Sequence, residues 1–303
     1  MTDLSREILD SWQIRKTKDQ KTAFIELLTS RLPDARVEKG GLSGSRNILV
    51  GDVAGAKLVL TAHYDTCAVL PFPNFLTPKN FLIYILYNLL IAFVMVALCL
   101  AAGYGAGRLF ADPAVSMLAY FLVLILILFV LTGGRANKHT VNDNTSGVVT
   151  LLEIMAAMTP EQRAATAFVF FDNEESGMLG SGVFWKKHKA EMKDKLLVNL
   201  DCVSDGDNIM LVIKRRAEQS YGSALRESFT GSGEKTFLFE KAATTIYPSD
   251  QSHFPMALAI AAFRRSRVFG LYLSRIHTGR DTVFEEENVR LIRDGVLKLT
   301  EHL

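Results

Sequence analysis

Histidines and carboxylates interrupt this sequence at points where apolar runs end. The run KLVLT continues into AHYDT, which places His63 and Asp65 two residues apart and on the same side of an extended chain, a pair that would also suit a structural histidine. The run AFVFF ends in the acidic segment DNEES, which contains Glu174 and Glu175. Adjacent carboxylates at a buried edge repel each other, and a bound cation or a proton on one of them offsets that cost. The acidic segment therefore predicts a metal ligand beside a general base, with a solvated loop as the alternative.

Three further segments contain residues of the same types. Asp143 stands in VNDNTSGVV just before a predicted helix, where an aspartate also serves as a helix cap. Asp201 directly follows the apolar run LLVNL, and His277 lies in the turn SRIHTGRDT. Imidazole and carboxylate groups without a cysteine cluster suit zinc or another borderline divalent ion, and five such groups suit two ions that share one bridging carboxylate. The sequence therefore predicts a centre that binds two metal ions.

Strands alternate with helices on both sides of one long interruption. Strands are predicted at residues 35–38, 46–50, 57–61, 167–171, 196–200, 208–214 and 257–263, and helices at 5–32, 145–158, 177–189, 217–230 and 285–302. This alternation predicts an α/β fold whose sheet is mostly parallel or mixed and has helices on both faces. In such a sheet a ligand site forms beyond the carboxyl ends of the strands, where these histidines and carboxylates are expected to meet.

Two long stretches without a charged residue, 81–102 and 114–131, interrupt the alternation. About 20 apolar residues are enough to cross the hydrocarbon core of a bilayer. Buried core helices are the alternative, but such helices usually have a polar face, and these stretches contain few polar residues. The glycine-rich segment GYGAGRLFADP between them predicts a turn, so the stretches form an antiparallel transmembrane hairpin over residues 80–133. The hairpin divides the soluble domain into a first part, 1–79, and a second part, 134–303.

Charges around the hairpin predict its orientation. Lys79 precedes the first helix, and Arg135 and Lys138 follow the second, whereas Arg108 in the turn is balanced by Asp112. Because basic residues concentrate on the cytoplasmic side of membrane proteins, we expect the soluble domain and both termini in the cytoplasm. The charged N-terminal segment, which has no signal-peptide pattern, fits that orientation.

The composition limits the classes of partner. The 303 residues include 34 basic and 32 acidic ones, and the formal net charge of +2 gives no strong field for nucleic acid. Three cysteines without metal-finger spacing, one of them inside an apolar run, argue against a disulfide framework and fit a reducing compartment. We therefore expect no nucleic-acid partner, and the hairpin predicts the lipid bilayer as one partner.

The order of the segments with metal-type residues resembles that of one enzyme family. The motifs that carry the resemblance are His63 with Asp65, Asp143-Asn144 followed by Ser146-Gly147, Glu174-Glu175, Asp201, and His277. In this order they resemble the co-catalytic zinc aminopeptidases, the metallopeptidases that include bacterial leucyl aminopeptidases and aminopeptidase Y. The resemblance covers residues 35–80 and 138–303, and it implies a zinc exopeptidase-like fold.

The resemblance also implies a role for each matching residue. Five residues would hold two zinc ions: His63 and Asp201 one ion, Glu175 and His277 the other, and Asp143 both. Glu174 would be the general base that takes a proton from a water shared by the two ions. Asp65 would orient His63, as carboxylates do for ligating histidines. Hydrolysis of peptide bonds is the expected reaction, with peptides as substrates.

One motif departs from the family pattern. Ser249-Asp250 matches it, but Gln251 follows where histidine is usual. The departure implies an altered wall of the substrate pocket. Tyr247 and Asp250 are the residues expected on that wall, where Tyr247 would assist the oxyanion or be an ordinary packed tyrosine.

Removal of N-terminal residues is the activity that the resemblance implies, and three alternatives stand beside it. A carboxypeptidase or dipeptidase on the same scaffold needs a basic residue to hold a terminal carboxylate, which Arg264, Arg265, Arg275 or Arg280 would supply. A glutaminyl cyclase-like transferase uses one zinc, whereas all five ligand positions are filled in this sequence. A membrane scaffold without activity would lack a ligand or the base, and neither is missing.

The hairpin lies between two residues of the expected site, Asp65 and Asp143. Only 12 residues lead from Leu131 to Asp143, and they reach at most about 40 Å. The rim of the site must therefore lie close to the membrane. We hypothesise that the pocket opens towards the bilayer and receives peptides that are apolar or released at the membrane.

Overall fold

Nine strands form one mixed sheet in a computed structural model that describes residues 1–303. The strands are β1 (Ala35–Gly40), β2 (Ser45–Val50), β3 (Leu58–His63), β4 (Thr166–Phe171), β5 (Leu196–Leu200), β6 (Asn208–Ile213), β7 (Thr236–Lys241), β8 (Ala257–Ser266) and β9 (Gly270–Tyr272). Their order across the sheet is β1-β2-β4-β3-β5-β8-β6-β7, and β9 pairs with β8. The central strands β4, β3, β5 and β8 run parallel, whereas β1 pairs antiparallel with β2 and β6 with β8. This topology confirms the mixed α/β fold.

Helices cover both faces of the sheet. They are α1 (Asp3–Ser11), α2 (Lys18–Arg31), α3 (Phe81–Phe110), α4 (Pro113–Gly133), α5 (Ser146–Ala157), α6 (Pro160–Ala164), α7 (Leu179–Met192), α8 (Arg215–Ser228) and α9 (Glu286–Thr300). Because successive side chains of a strand point to opposite faces, Leu58 and Leu60 of β3 pack in the cluster that includes α5 and α9. Val59 packs in a smaller cluster with Phe184 of α7. Burial on both faces explains why these strands read as continuous apolar runs.

The single helix predicted over residues 5–32 is wrong, because the chain forms α1 and α2 with a break between them. Arg15 lies in the break and is fully buried, which an exposed position on a continuous surface helix would not allow. Thr17 then begins α2, since its hydroxyl accepts the N–H of Gln20 while the Gln20 side chain accepts the N–H of Thr17. Strand β7, at the sheet edge, and the three-residue β9 are not among the predicted elements.

Two helices, α3 and α4, are long and apolar enough to cross a membrane. Only Cys99 and Gly103 of α3 are buried, and no residue of α4 is. Neither helix is therefore a core helix of the soluble domain. The two pack on each other, and the Ser116 hydroxyl of α4 donates a hydrogen bond of 2.7 Å to the carbonyl of Gly103.

The turn of the hairpin is shorter than the eleven-residue segment predicted for it. Helix α3 continues through three glycines to Phe110, so only Ala111 and Asp112 separate the helices. Small residues at a helix contact let the partner approach closely, and a Cβ on Gly107 would lie 3.2 Å from the Cβ of Ser116. The glycines therefore serve the packing of the hairpin instead of ending its first helix.

The two ends of the hairpin leave the soluble domain side by side. Ala68 and Ala136 form an isolated β-bridge. The N–H of Val69 donates to the carbonyl of Arg135 at 2.9 Å. The connections on both sides of the hairpin are therefore paired with each other and fixed to the domain.

Candidate metal centre

The five side chains predicted to bind metal meet at one edge of the sheet. His63 is the last residue of β3, Asp201 directly follows β5, and Glu175 lies shortly after β4. Asp143 lies in the turn that precedes α5, and His277 lies in the loop after β9. Because β3, β4 and β5 are parallel, their carboxyl ends share this edge, and the side chains that follow them converge there.

Asp143 stands between the two histidines. Its Oδ2 lies 3.0 Å from Nε2 of His277, and its Oδ1 lies 3.4 Å from Nε2 of His63. Oε2 of Glu175 is 3.2 Å from Nε2 of His277, and Oδ1 of Asp201 is 3.7 Å from Nε2 of His63. The residues thus form a first half-site, His63 with Asp201, and a second half-site, His277 with Glu175, which share the carboxylate of Asp143.

Two buried atoms of these half-sites, Nε2 of His63 and Oε1 of Glu175, have no hydrogen-bond partner. Buried polar atoms almost always have one, because leaving them unpaired costs free energy. The other ring nitrogen of His63 lies 3.1 Å from the backbone carbonyl of Asp65, so Nδ1–H can donate there, which leaves Nε2 available to bind a metal ion. Imidazole nitrogen and carboxylate oxygen in this arrangement fit a divalent metal such as zinc.

A thiol stands beside the second half-site. Sγ of Cys67 and ligand atoms of Glu175 and His277 all lie within 4.8 Å of one another. Burial raises the pKa of this thiol well above its ordinary value, and the charge of Glu175 adds to the shift. The sequence does not single out Cys67, although HYDTC places it on the same side of an extended chain as His63 and Asp65.

The crowded carboxylates change the protonation of the centre when no cation is bound. Burial raises the pKa of Glu175 to about 8, with His277 opposing the shift and Asp143 adding to it. Burial also raises the pKa of Glu174 well above its ordinary value. Burial alone would lower the pKa of His277, but Glu175 and Asp143 raise it to about 9. Metal binding near neutral pH is therefore expected to displace protons from this centre.

Asp65 holds the acidic segment that follows β4. Its carboxylate accepts the backbone N–H of Glu174 at 3.0 Å and that of Glu175 at 3.2 Å. The same carboxylate lies 3.7 Å from Nδ1 of His63, farther than the backbone carbonyl of Asp65. The backbone of Asp65 thus orients His63, and its side chain positions the two glutamates.

Asp281 positions the shared carboxylate in a similar way. This buried residue accepts the N–H of Asn142 at 2.8 Å and that of Asp143 at 3.0 Å. It lies four residues after His277, but the sequence does not predict its role, because nothing in RDT distinguishes a buried acceptor from a surface aspartate.

Arg15 is a second residue of the surroundings that the sequence does not predict. Its guanidinium donates to the carbonyl of Tyr64 and to the hydroxyl of Thr145. Tyr64 directly follows His63, and Thr145 lies two residues after Asp143. It also stacks over the ring of Phe24 at 5.0 Å. The N-terminal segment therefore packs against the chain that carries His63 and the chain that carries Asp143.

The centre opens into a cavity of about 330 Å³. Tyr247 lines this cavity, and its hydroxyl donates to the carbonyl of Asp201 at 2.8 Å. Asp250 is fully buried behind the wall and does not line the cavity. Gln251, at the position where the family pattern has histidine, bonds the carbonyl of Tyr247 at 2.9 Å and so supports the wall from inside.

The chain is similar in sequence to one peptidase family and in fold to several solved structures. The sequence profile of peptidase family M28 matches residues 131–299. The fold is similar to that of Porphyromonas gingivalis glutaminyl cyclase, with a TM-score of 0.57 and 17% identity over 99% of this chain and 95% of that one. It is also similar to the LapA aminopeptidase of Legionella pneumophila, with a TM-score of 0.57 and 12% identity over 98% and 69% of the two chains. LapB of the same organism gives a TM-score of 0.55 and 13% identity over 98% and 69%. Among curated proteins, none matches the sequence.

Proposed function

Because the chain belongs to peptidase family M28, a family of zinc metallopeptidases, we propose that it is an aminopeptidase anchored in a membrane by α3 and α4. The matched residues contain four of the five proposed metal ligands: Asp143, Glu175, Asp201 and His277. One observation carries the proposal. The carboxylate of Asp143 lies between two pairs of metal-type side chains, with Glu174 beside them.

Each half-site would hold one zinc ion, and Asp143 would contact both. Bound zinc supplies two kinds of chemistry, since it makes water a better nucleophile near neutral pH and polarises the carbonyl under attack. The protein supports this arrangement with buried acceptors: the Asp281 carboxylate accepts the backbone N–H of Asp143, and the carbonyl of Asp65 holds the ring of His63. Such supporting contacts orient ligands before a metal arrives.

Glu174 is the proposed general base. It lines the cavity beside the half-sites, and the carboxylate of Asp65 holds its backbone N–H. Burial raises its pKa, which makes its carboxylate a stronger base towards the attacking water than an exposed glutamate. The protonated side chain then gives that proton to the leaving amine. A positioned acid–base group of this kind contributes about 10²–10⁴-fold to the rate.

The acidic residues around the cavity favour a free N-terminus as the substrate group. Four carboxylates line the cavity: Asp143, Glu174, Glu175 and Asp201. Their oxygen atoms can accept hydrogen bonds from an ammonium group even where they bind zinc, whereas a terminal carboxylate needs a basic partner. None of the arginines considered for that partner lines this cavity: Arg264, Arg265, Arg275 and Arg280.

A neighbouring cavity of about 260 Å³ makes a carboxypeptidase the second candidate. It shares His277 with the first cavity and is also lined by Lys16 and Lys21. Nζ of Lys21 is already paired with Asp172 at 2.6 Å, and Nζ of Lys16 donates to the carbonyl of Thr132 at 2.9 Å. Because both ammonium groups have partners within the protein, the aminopeptidase is the better supported reading.

The length and the exposed apolar surface of the hairpin support the proposal that it anchors the chain in a membrane. Helix α4 has 21 residues, which at about 1.5 Å per residue span about 31 Å, close to the thickness of a hydrocarbon core. Large apolar side chains of both helices are exposed, including Leu98 and Phe129. Exposed apolar surface of this extent indicates contact with lipid or protein. The basic residues that flank the hairpin favour a cytoplasmic soluble domain with both termini on the same side.

The test uses the full chain purified in detergent. We expect about two zinc ions per chain and cleavage of peptides with a free N-terminus but not of the same peptides with the N-terminus acetylated. Glu174→Gln should keep its zinc and lose activity by about 10²-fold or more. Glu234→Gln, the same change at an exposed acid that does not line the cavity, should behave like the unaltered protein.

Two results would contradict the proposal in different ways. Cleavage that requires a free C-terminus and ignores N-terminal acetylation would establish the carboxypeptidase instead. A protein that binds no zinc and cleaves no peptide would be a membrane scaffold with the peptidase fold, and the roles given to Glu174 and the five ligands would be withdrawn.

A further inference from the structure

The first helix of the hairpin is longer than the second at the end that faces the soluble domain. Helix α3 has 30 residues and α4 has 21. Since only Ala111 and Asp112 join them, their other ends cannot be level, and α3 exceeds α4 by about 13 Å. The first turns of α3 therefore project beyond the end of α4, towards the metal centre.

Tyr84 lies on this projecting part and reaches the active-site cavity. It lines the same cavity as Asp143 and Glu174. Its ring is partly buried and packs against the apolar cluster that contains Leu76 and Tyr247. A residue of the hairpin thus forms part of the wall of the proposed catalytic site.

Four contacts hold the segment that leads into α3, and the first turns of α3 itself, to the rest of the chain. Leu76 and Leu273 form a β-bridge, and the N–H of Ile246 donates to the carbonyl of Pro78 at 3.0 Å. The two remaining contacts are a 2.7 Å ion pair of Lys79 with Glu240 and a 2.6 Å hydrogen bond from the Tyr87 hydroxyl to the carbonyl of Pro73. Because these contacts surround Tyr84 in sequence, the position of its ring relative to the metal centre is set by the fold.

The lining of the cavity also has an apolar side, which contains Tyr84. Leu76, Leu273 and Ile276 line the cavity and belong to the apolar cluster against which the tyrosine packs. The volume of about 330 Å³ is enough for a large amino-acid side chain together with the peptide group next to it. An ammonium group would lie among the carboxylates, and the side chain beside it would lie against the apolar wall.

We propose that Tyr84 determines specificity and that the cavity accepts peptides with a large apolar N-terminal side chain. The proposal rests on the aminopeptidase function proposed above and adds its substrate class. The tyrosine ring acts as a wall that contacts the side chain of the N-terminal residue, so that leucine fills the space and alanine leaves it partly empty.

The test compares three variants of the full chain in detergent. Tyr84→Ala removes the wall, and Tyr84→Phe keeps the ring. Tyr104→Ala removes the same side chain near the far end of α3, where it is 70% exposed. The measurement is the ratio of kcat/KM for leucyl and alanyl 4-nitroanilides.

We expect this ratio to fall about 10-fold or more in Tyr84→Ala, the size of effect that a few lost methylene contacts produce. Tyr84→Phe and Tyr104→Ala should keep the ratio of the unaltered protein. A ratio in Tyr84→Ala that is unchanged or higher overturns the proposal. An equal fall in Tyr84→Phe also overturns it, because the hydroxyl and not the ring would then be responsible.

A binding measurement separates this proposal from the function on which it rests. Leucine hydroxamate and glycine hydroxamate carry the same zinc-binding group and differ only in the side chain, and calorimetry gives their affinities for the zinc-loaded protein. We expect Tyr84→Ala to lose the preference for leucine hydroxamate. If that loss occurs but the unaltered protein cleaves no peptide, the pocket assignment stands and the aminopeptidase function fails. If peptides are cleaved and Tyr84→Ala keeps both preferences, the function stands and the pocket assignment fails.

Discussion

The Asp65→Asn substitution changes one of the two ways in which this residue organises the metal centre. The Asp65 carboxylate accepts the N–H groups of Glu174 and Glu175, while its backbone carbonyl holds the ring of His63. Asparagine keeps the backbone carbonyl but has a single side-chain oxygen, and its NH₂ group would face a backbone N–H. We expect the substitution to release the acidic segment after β4 and to leave His63 in place.

The size of the effect follows from the bonds that are lost. A hydrogen bond to a charged group contributes about 1.5–3 kcal/mol, and at least one such bond disappears. Since about 1.4 kcal/mol corresponds to a factor of ten, the zinc affinity of the half-site that contains Glu175 should fall roughly 10-fold to 100-fold, as it does for other residues that support metal ligands. The half-site of His63 and Asp201 should change much less.

Zinc titration with a competing chelator measures the two binding steps separately. Asp52→Asn is the matched control, because Asp52 also accepts two backbone N–H groups, from Ala54 at 3.0 Å and from Gly55 at 3.1 Å, on an exposed turn before β3. This control should bind zinc as the unaltered protein does. Equal weakening of both steps in Asp65→Asn, or no weakening of either, would refute the separation of backbone and side-chain roles.

Two further predictions concern the second half-site. Burial raises the pKa of Glu175 to about 8, so below that pH a proton competes with zinc. The zinc affinity should therefore fall as the pH decreases from 8. Calorimetry in buffers of different ionisation enthalpy measures the protons that are released on binding. An affinity that is constant between about pH 6 and pH 8 would contradict the displacement of protons. Cys67→Ala should keep the full zinc content by elemental analysis, because Asp143, Glu175 and His277 already provide three donors. Loss of one zinc ion would show instead that the thiol is a ligand.

The sequence predicts the mixed α/β fold and the edge of the sheet at which the site lies. Both follow from local rules, since apolar runs form the buried strands and polar residues can follow only where each strand ends. His63 and Asp201 illustrate this, because parallel strands bring their carboxyl ends together whatever the loops between them do. The family match confirms the resemblance on which the zinc metallopeptidase was predicted. The roles of the single residues, the two-zinc content and the membrane orientation stay predictions.

The rest depends on contacts between distant parts of the chain. In the sequence, Arg15 resembles any charged residue of a surface helix. Only the path of the segment between α1 and α2 brings it into contact with Tyr64 and Thr145. Asp281 and Asp250 are both buried, yet one holds the backbone of Asp143 and the other lies behind the cavity wall. Tyr84 is one of several tyrosines in an apolar helix, and its role depends on how far α3 projects. Local pattern does not determine any of these placements.

The position of β4 in the sheet has a consequence for the synthesis of the chain. This strand lies between β2 and β3, although it follows both of them and the whole hairpin in sequence. About 100 residues must be translated after β3 before β4 is available, which at roughly 5–20 residues per second takes on the order of 5–20 s. During that time the edges of β2 and β3 that β4 will cover are unpaired, so the nascent first part cannot close its sheet. The hairpin therefore emerges from the ribosome before the domain around it can fold, so α3 and α4 can pack on each other before the metal centre is complete.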